Sequence, residues 1–346
     1  MISLALFNNK GGVGKTTLTY HLAHMLERLG QRVLAVDLDP QSNLTAAFLD
    51  EDDLAALWNE SSSPVLGQLQ PRLLPMLDAA NPGTLAAAVG PIMEGLGDIE
   101  LFDPIRIRDT LWLLPGDLEL SAFEEKLSDA WPRSFTGIDM AAIRATTAFH
   151  RIISAAAQKV RADIVLIDVG PNLGAINRSA LLASDTVLMP LAADLFSLRG
   201  LINLGPALRQ WRTTWQETVL PKVPSAIEAP AGNMVPLGYV IMQPTMRLDR
   251  PVAAYRRWLD RIPGVFADEV LGGAPLLSQA GGFEIATVRN YQSLMPLAHD
   301  ARKPMFDLRS ADGAIGSTLG LVQRCYKEFR SLAEMVLARL AGAKSS

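Results

Sequence analysis

Asn8-Asn9-Lys10-Gly11-Gly12-Val13-Gly14-Lys15-Thr16-Thr17 is the stretch on which the reading of this chain turns. An apolar run, Ile2 to Phe7, precedes it and reads as a buried strand. Thr16 to Leu29 follows, with Leu18, Leu22, Met25, Leu26 and Leu29 at helical spacing. Strand, glycine-rich turn and helix together make the setting of a phosphate-binding loop. The glycines Gly11, Gly12 and Gly14 allow the backbone around Val13 to curl, so that successive N–H groups point at one anion. The helix that follows adds the partial positive charge of its N-terminus. Lys15 is placed to reach β- and γ-phosphates, the Thr16 hydroxyl to ligate Mg²⁺, and Thr17 to bond an α-phosphate.

Composition narrows the class. The chain has 346 residues, 49% hydrophobic, enough for one large α/β domain with a small insertion. One cysteine, Cys325, excludes a disulfide framework or zinc cluster and suits a reducing cytoplasm. His21, His24, His150 and His299 lack ligand spacing. The N-terminus does not read as a signal peptide, and no apolar run reaches about 18 residues, so a cytoplasmic protein is expected. Net charge is −4, but it is unevenly spread: Leu49 to Trp131 holds 16 acidic and 4 basic residues, Arg199 to Arg261 holds 9 basic and 4 acidic.

Outward from the loop, Gly30 reads as a helix cap and Arg32 to Asp37 as a second buried strand. That strand ends in Asp37-Leu38-Asp39-Pro40-Gln41-Ser42-Asn43, where Asp39 is also suited to capping a helix that starts near Ser42. Residues 50–106 read as an acidic helical insertion, with helical stretches around Leu66 to Leu77 and Leu85 to Leu96. It is either a solvated decoration or a docking surface for a basic partner. Leu111 to Gly116 returns to a strand, and Asp117 opens another helix. Ala162 to Asp168 is a buried strand delivering a carboxylate, which behind a phosphate loop points to the Mg²⁺ shell. Asp185 to Leu191 and Leu237 to Met242 are further strands. The last helix, Ala314 to Leu340, places Leu321, Cys325, Phe329, Leu332, Val336 and Leu340 on one face and is expected to pack in the core.

Lys10-Gly11-Gly12-Val13-Gly14-Lys15-Thr16-Thr17 resembles the deviant Walker A motif of the ParA/MinD family, SIMIBI-class P-loop ATPases, and its ParA-like branch. The resemblance runs from residue 1 to about 335, apart from the insertion. It includes the Asp39-Pro40-Gln41 segment, with Ser42 where glycine is commoner, and the Val169-Gly170-Pro171 passage, with Gly170 where proline is common. It implies ATP and Mg²⁺ as cofactors, and slow hydrolysis to ADP and phosphate unless a protein partner stimulates it. By the same resemblance Lys10 reaches the nucleotide of a facing protomer in an ATP-bound homodimer. Asp39 orients the attacking water and joins Thr16 and Asp168 around the metal. Met242 and Gln243 lie beside the base, and the stretch Val288 to Pro304, with Arg289 and Asn290, closes its other side.

The implied fold is a doubly wound, mostly parallel α/β sheet flanked by helices, a single domain over 1–346 with the insertion after the second strand. The implied function is an ATP-gated dimeric switch that partitions or positions DNA or cargo. Arg247, Arg250, Arg256, Arg257 and Arg261 are its candidate non-specific DNA contacts, with a helix over Pro251 to Ile262 bringing Arg250, Arg257 and Arg261 to one face. If DNA is bound, the protein is nucleoid-associated. A second class of function is a regulatory or assembly subunit, in a defence or toxin module for example, that docks proteins instead of DNA. A MinD-like membrane switch ranks last.

Overall fold

The computed structural model describes residues 1–58, 82–242, 246–247, 250–251, 253–273, 282–291 and 293–344. The chain runs β1 (Ile2–Leu6), α1 (Lys15–Arg28), β2 (Val33–Asp37), α2 (Asn43–Phe48), α3 (Glu51–Leu57) and α4 (Leu85–Glu94). It continues through β3 (Ile105–Arg108), β4 (Leu111–Leu114), α5 (Phe123–Ser134), α6 (Met140–Val160), β5 (Ile164–Asp168), α7 (Ala175–Leu182), β6 (Thr186–Ala192) and α8 (Leu195–Thr214). Then follow β7 (Val235–Met242), a short hairpin of β8 (Met246–Arg247) and β9 (Arg250–Pro251), α9 (Ala253–Leu259), α10 (Ile262–Val265), β10 (Glu284–Val288), α11 (Met295–Ala301) and α12 (Ser317–Lys344).

The main sheet has eight strands in the order β10-β7-β6-β1-β5-β2-β4-β3. All its pairings are parallel except β3 with β4. Strand alternation divides the core between two faces. Ala5 and Phe7 join Val165 and Ile167 on the face covered by α4 to α8. Leu4 and Leu6 join Ile164 and Leu166 on the face covered by α1 and α12. Each such fully buried leucine, isoleucine or phenylalanine contributes about 1.5–3 kcal/mol. Burial on both faces explains why these strands read as continuous apolar runs. Because β1 is central, with β5 on one side and β6 on the other, the loops after these strands and β2 converge at one edge. Such an edge is where open α/β sheets bind ligands.

The described residues of the segment expected as an insertion, 50–58 and 82–106, are closely tied to the rest. α4 starts at Thr84, whose Oγ1 accepts the Ala87 N–H at 3.2 Å, and it buries Leu85, Ala88, Val89 and Ile92 in the main core. The segment's described part is therefore no solvated decoration. β3, for which the sequence reading had no strand, closes the sheet against β4. The expected helix around Leu66 to Leu77 lies outside the described residues. The expected helix over Pro251 to Ile262 is corrected: α9 stops at Leu259, and Arg261 is the residue before α10. Arg250 is not on that helix, but pairs across the β8–β9 hairpin with Arg247.

α12 packs Cys325, Phe329, Leu332, Val336 and Leu340 into the core, as its spacing predicts. It meets α1 through His21, whose ring stacks on Phe329 at 5.0 Å. The Met305 N–H donates to His21 Nε2 at 3.0 Å, so Nδ1 carries the proton and donates to the Thr17 carbonyl at 2.7 Å. Only the neutral ring satisfies both partners. Burial pushes the His21 pKa down to about 4, against the smaller opposing effects of the Thr17 carbonyl and Asp307. An unfolded histidine near 6.5 binds its proton first, so this stability is complete above 6.5 and is lost as pH falls toward 4. At pH 5 the loss is about 2 kcal/mol. Urea unfolding at pH 7.5 and 5.0 checks this. An equal loss in His21→Asn would assign the acid sensitivity to another group.

Candidate functional site

Gly14 takes a left-handed conformation at φ 92, and Gly12 another at φ 71, which turn the chain from β1 into α1. Among the described residues, the N–H groups of Gly11, Gly12 and Gly14 meet no protein acceptor. α1 begins at Lys15 with no side chain capping its N-terminus and no acid in its first turn. Unmet donors, a bare helix N-terminus and a lysine form an anion cradle.

Lys15 is buried, at 7% exposure. Burial pulls its pKa down, while the charges of Asp168 and Asp39 act in the opposite direction. Asp168 is wholly buried at the end of β5. Its Oδ2 accepts the Thr16 hydroxyl at 2.7 Å and its Oδ1 the Thr19 hydroxyl at 3.2 Å. Burial pushes its pKa up to about 6, offset by Thr16 and Lys15. Thr16 and Asp168, expected to share a metal, are therefore already in contact. Their oxygens, with Asp39 nearby, are the hard donor set Mg²⁺ prefers, and a phosphate would complete it. The chain's residues thus fit both a nucleotide phosphate and Mg²⁺. Among the described residues no group of three His, Cys, Asp or Glu side chains converges as a metal cluster of its own.

The helix-capping role weighed for Asp39 belongs to Asp37. Asp37 Oδ2 accepts the Thr45 N–H at 2.8 Å and the Thr45 hydroxyl at 2.7 Å, and that hydroxyl accepts the Gly116 N–H at 2.8 Å. Burial, then the charge of Asp168, its register partner on β5, pushes the Asp37 pKa up to about 8. Asp39 lines the cavity instead. Its Oδ1 accepts the Gln41 N–H at 3.0 Å. Ser42 has φ 52, the left-handed region, which explains why glycine is commoner there; a non-glycine residue costs about 1–2 kcal/mol.

Lys10 forms an ion pair with Asp194 of its own chain and lies 5.9 Å from the Phe196 ring centre. Asp194 also accepts the Ser197 N–H at 2.9 Å, capping α8. The sequence reading missed this partner, since 184 residues separate the two.

A cavity of about 750 Å³ runs from Gly12, Lys15 and Thr17 along α1 between α2 and α11. Its far end is lined by Tyr20, His21, Ala47, Met295, Ala298 and Arg302. Of the residues expected beside the base, the described ones, Met242, Arg289 and Asn290, are not among its lining. Met242 is buried in the core, and Arg289 is bound to Glu328 of α12 at 3.0 Å. Asn290 precedes the buried Tyr291, and Gln243 lies outside the described residues. α11, which carries much of the far wall, lies within the stretch Val288 to Pro304 that resembles the segment closing one side of the base, although no helix was expected there.

Arg256, Arg257 and Arg261 are exposed, and the last two flank Trp258 at 4.6 and 5.8 Å. Among the described residues no helix is long and apolar enough to cross a membrane.

Comparison with known proteins places these features in context. Residues 1–220 match the family described as AAA domain. The chain is similar to the chromosome partitioning protein ParA of Caulobacter vibrioides, with 31% identity over 202 residues, 58% of this chain. That match spans 60% of the relative's own length. Protein DIP2308 of Corynebacterium diphtheriae has a similar crystal structure, at TM-score 0.70 and 25% identity, covering 98% of this chain and 99% of that one. The ATP complex of McdA from Cyanothece shares the fold at TM-score 0.59 and 17% identity, covering 99% and 96%.

Proposed function

Because the chain belongs to the ParA/MinD family, we propose that it is a Mg²⁺-dependent ATPase whose ATP-bound dimer positions DNA or cargo. The observation that carries this reading is Lys15, buried beneath a loop of unpartnered N–H groups and beside Asp168, itself bonded to Thr16. Lys15, the Gly11 to Gly14 backbone and Thr17 hold the phosphates. Thr16 and Asp168 hold Mg²⁺, which when bound neutralises charge on the β- and γ-phosphate oxygens. Asp39 orients the attacking water and completes the metal's surroundings. Met242, Gln243, Arg289 and Asn290 stay the base contacts that the resemblance implies, and Tyr20, His21 and Met295, which line the cavity, are a further candidate wall for the nucleoside. The segment over 50–106 is an elaboration of a single domain.

The dimer reading draws support from the exposed apolar residues Leu118, Leu173, Leu195 and Phe196, which follow β4, β5 and β6 at the same edge as the loop. For Lys10 to reach a facing nucleotide it must first leave Asp194. ATP then favours the dimer, and hydrolysis, slow until a protein partner stimulates it, releases it. The reading places the protein in the cytoplasm, on the nucleoid when DNA is bound.

DNA binding is the test of the positioning role. One protomer's exposed Arg256, Arg257 and Arg261 neutralise few phosphates, and a dimer doubles the set at high effective concentration. With about three arginines per chain, log Kd of the ATP-bound protein for duplex DNA should change with log salt at a slope of magnitude roughly 5. Fluorescence anisotropy on two unrelated duplexes measures it, and both should bind equally. No binding at low salt with ATP and Mg²⁺ present would remove DNA from the proposal.

A further inference from the structure

The segment after Asp168 is held by two side chains that belong to neither nucleotide motif. Asn177, 1% exposed, turns back from the first turn of α7. Its Oδ1 accepts the Gly170 N–H at 3.1 Å. Its Nδ2 donates to the carbonyls of Gly170 at 2.9 Å and Asn172 at 2.7 Å, and to Asn172 Oδ1 at 3.0 Å. Asn172 Oδ1 in turn accepts the Gly174 N–H at 2.8 Å. From the other side Glu124, in the first turn of α5, spans the start of α7. Its Oε1 accepts the Ala175 N–H at 2.5 Å and its Oε2 the Ile176 N–H at 2.9 Å.

The chemistry of each contact is specific. α7 has no side-chain cap of its own. The Glu124 carboxylate supplies one from a different helix, with two charge-assisted bonds at the positive end of α7. Asn177 is the one side chain here that meets both the donor and the acceptor of Gly170, which requires an amide. A Cβ on Gly174 would lie 2.6 Å from Glu124 Oε1, so the approach of the carboxylate depends on that glycine. Arg178 adds a further tie between α7 and α5, 4.5 Å from the Trp131 ring centre.

The clamped backbone borders the reactive end of the site. The position of a Cβ on Gly170 is 3.4 Å from Asp39 Oδ1 and 3.5 Å from Asn177 Nδ2. Gly170 thus lies close to both the Asp39 carboxylate and the Asn177 amide.

We propose that Glu124 and Asn177 are positioning residues for hydrolysis, holding Gly170 to Gly174 in one place beside Asp39 so that the attacking water has a single orientation. This rests on the reading of Asp39 as the water-orienting group. Neither residue lines the cavity, so both should act on the rate of hydrolysis and leave ATP affinity alone. Glu124→Gln keeps the side chain's length and one oxygen, and so loses one of the two bonds. Glu124→Ala loses both, and Asn177→Ala frees Gly170.

Two measurements test the pair. The first needs no nucleotide: amide hydrogen exchange in the full chain. Gly170, Ala175 and Ile176 should exchange at least about tenfold faster in the alanine variants, with Glu124→Gln intermediate, while α1 amides keep their rates. The second is single-turnover hydrolysis beside equilibrium binding of ATP. The hydrolysis rate should fall about tenfold or more in the alanine variants, with Kd for ATP within about twofold of wild type. Unchanged exchange, or exchange raised equally in α1, overturns the proposal. So does faster local exchange with an unchanged hydrolysis rate. A wild-type protein that binds ATP without hydrolysing it fails the functional reading itself, a result separate from any variant, and this inference falls with it.

Discussion

Lys15→Ala is expected to lower affinity for ATP by at least about 100-fold, the largest effect of any single substitution in the chain. Lys15 is 7% exposed, so its charge acts on a phosphate with little screening by water. Its burial carries a cost, seen in its lowered pKa, which Asp168 and Asp39 partly offset. Alanine removes the cation and leaves both carboxylates facing the phosphates with only the loop N–H groups and Mg²⁺ to oppose them. An arginine is no substitute, because its guanidinium is too bulky for a buried site shaped to an ammonium. Calorimetric titration with ATP and Mg²⁺ measures the effect, and circular dichroism verifies the fold. Wild-type affinity in folded Lys15→Ala would mean that this loop is not the phosphate site.

Asp39→Ala should separate binding from hydrolysis. Kd for ATP should stay within about threefold of wild type, while the hydrolysis rate falls about 100-fold, the lower end of what a positioned acid–base group contributes. The structure accounts for the separation. Asp37 caps α2 and is bonded to Thr45, so removing the Asp39 carboxylate leaves that framework in place. What is lost locally is one bond from the Gln41 N–H, at 3.0 Å. With hydrolysis blocked, the ATP-bound dimer should persist, and light scattering coupled to size exclusion should record twice the monomer mass with ATP and the monomer mass without it. An Asp39→Ala protein that binds ATP and hydrolyses it at the wild-type rate would end the role assigned to Asp39. One that binds ATP and stays monomeric would end the dimer switch.

Much of this site was legible along the chain because its parts are local. Residues 2 to 28 carry strand, turn and helix in one run, and the place of Lys15 and Thr16 at the head of α1 follows from their spacing to the glycines. Asp168 was legible because a strand buried on both faces must be apolar, so a carboxylate at its end stands out. The face of α12 was legible from the period of its apolar residues, which burial on one side imposes.

What the sequence left open depends on contacts between residues far apart in it. Asp37 and Asp39 are equally acidic and two residues apart. Only the position of Thr45, and of Gly116 beyond it, assigns the cap to Asp37 and leaves Asp39 at the cavity. Lys10 meets Asp194 because β1 and β6 are neighbours in the sheet, a pairing no local pattern specifies. The clamp of Glu124 and Asn177 has the same origin: α5 and α7 are joined by a long crossover, and a single glutamate in an acidic stretch carries no mark of the helix end it caps. The far wall of the cavity comes from α11, about 280 residues after α1 in sequence and brought beside it by the packing of α12. Periodicity and spacing determine which residues form strands, helices and the phosphate turn. Which carboxylate meets which donor is decided by the order of the strands, and that order is set by burial over the whole sheet.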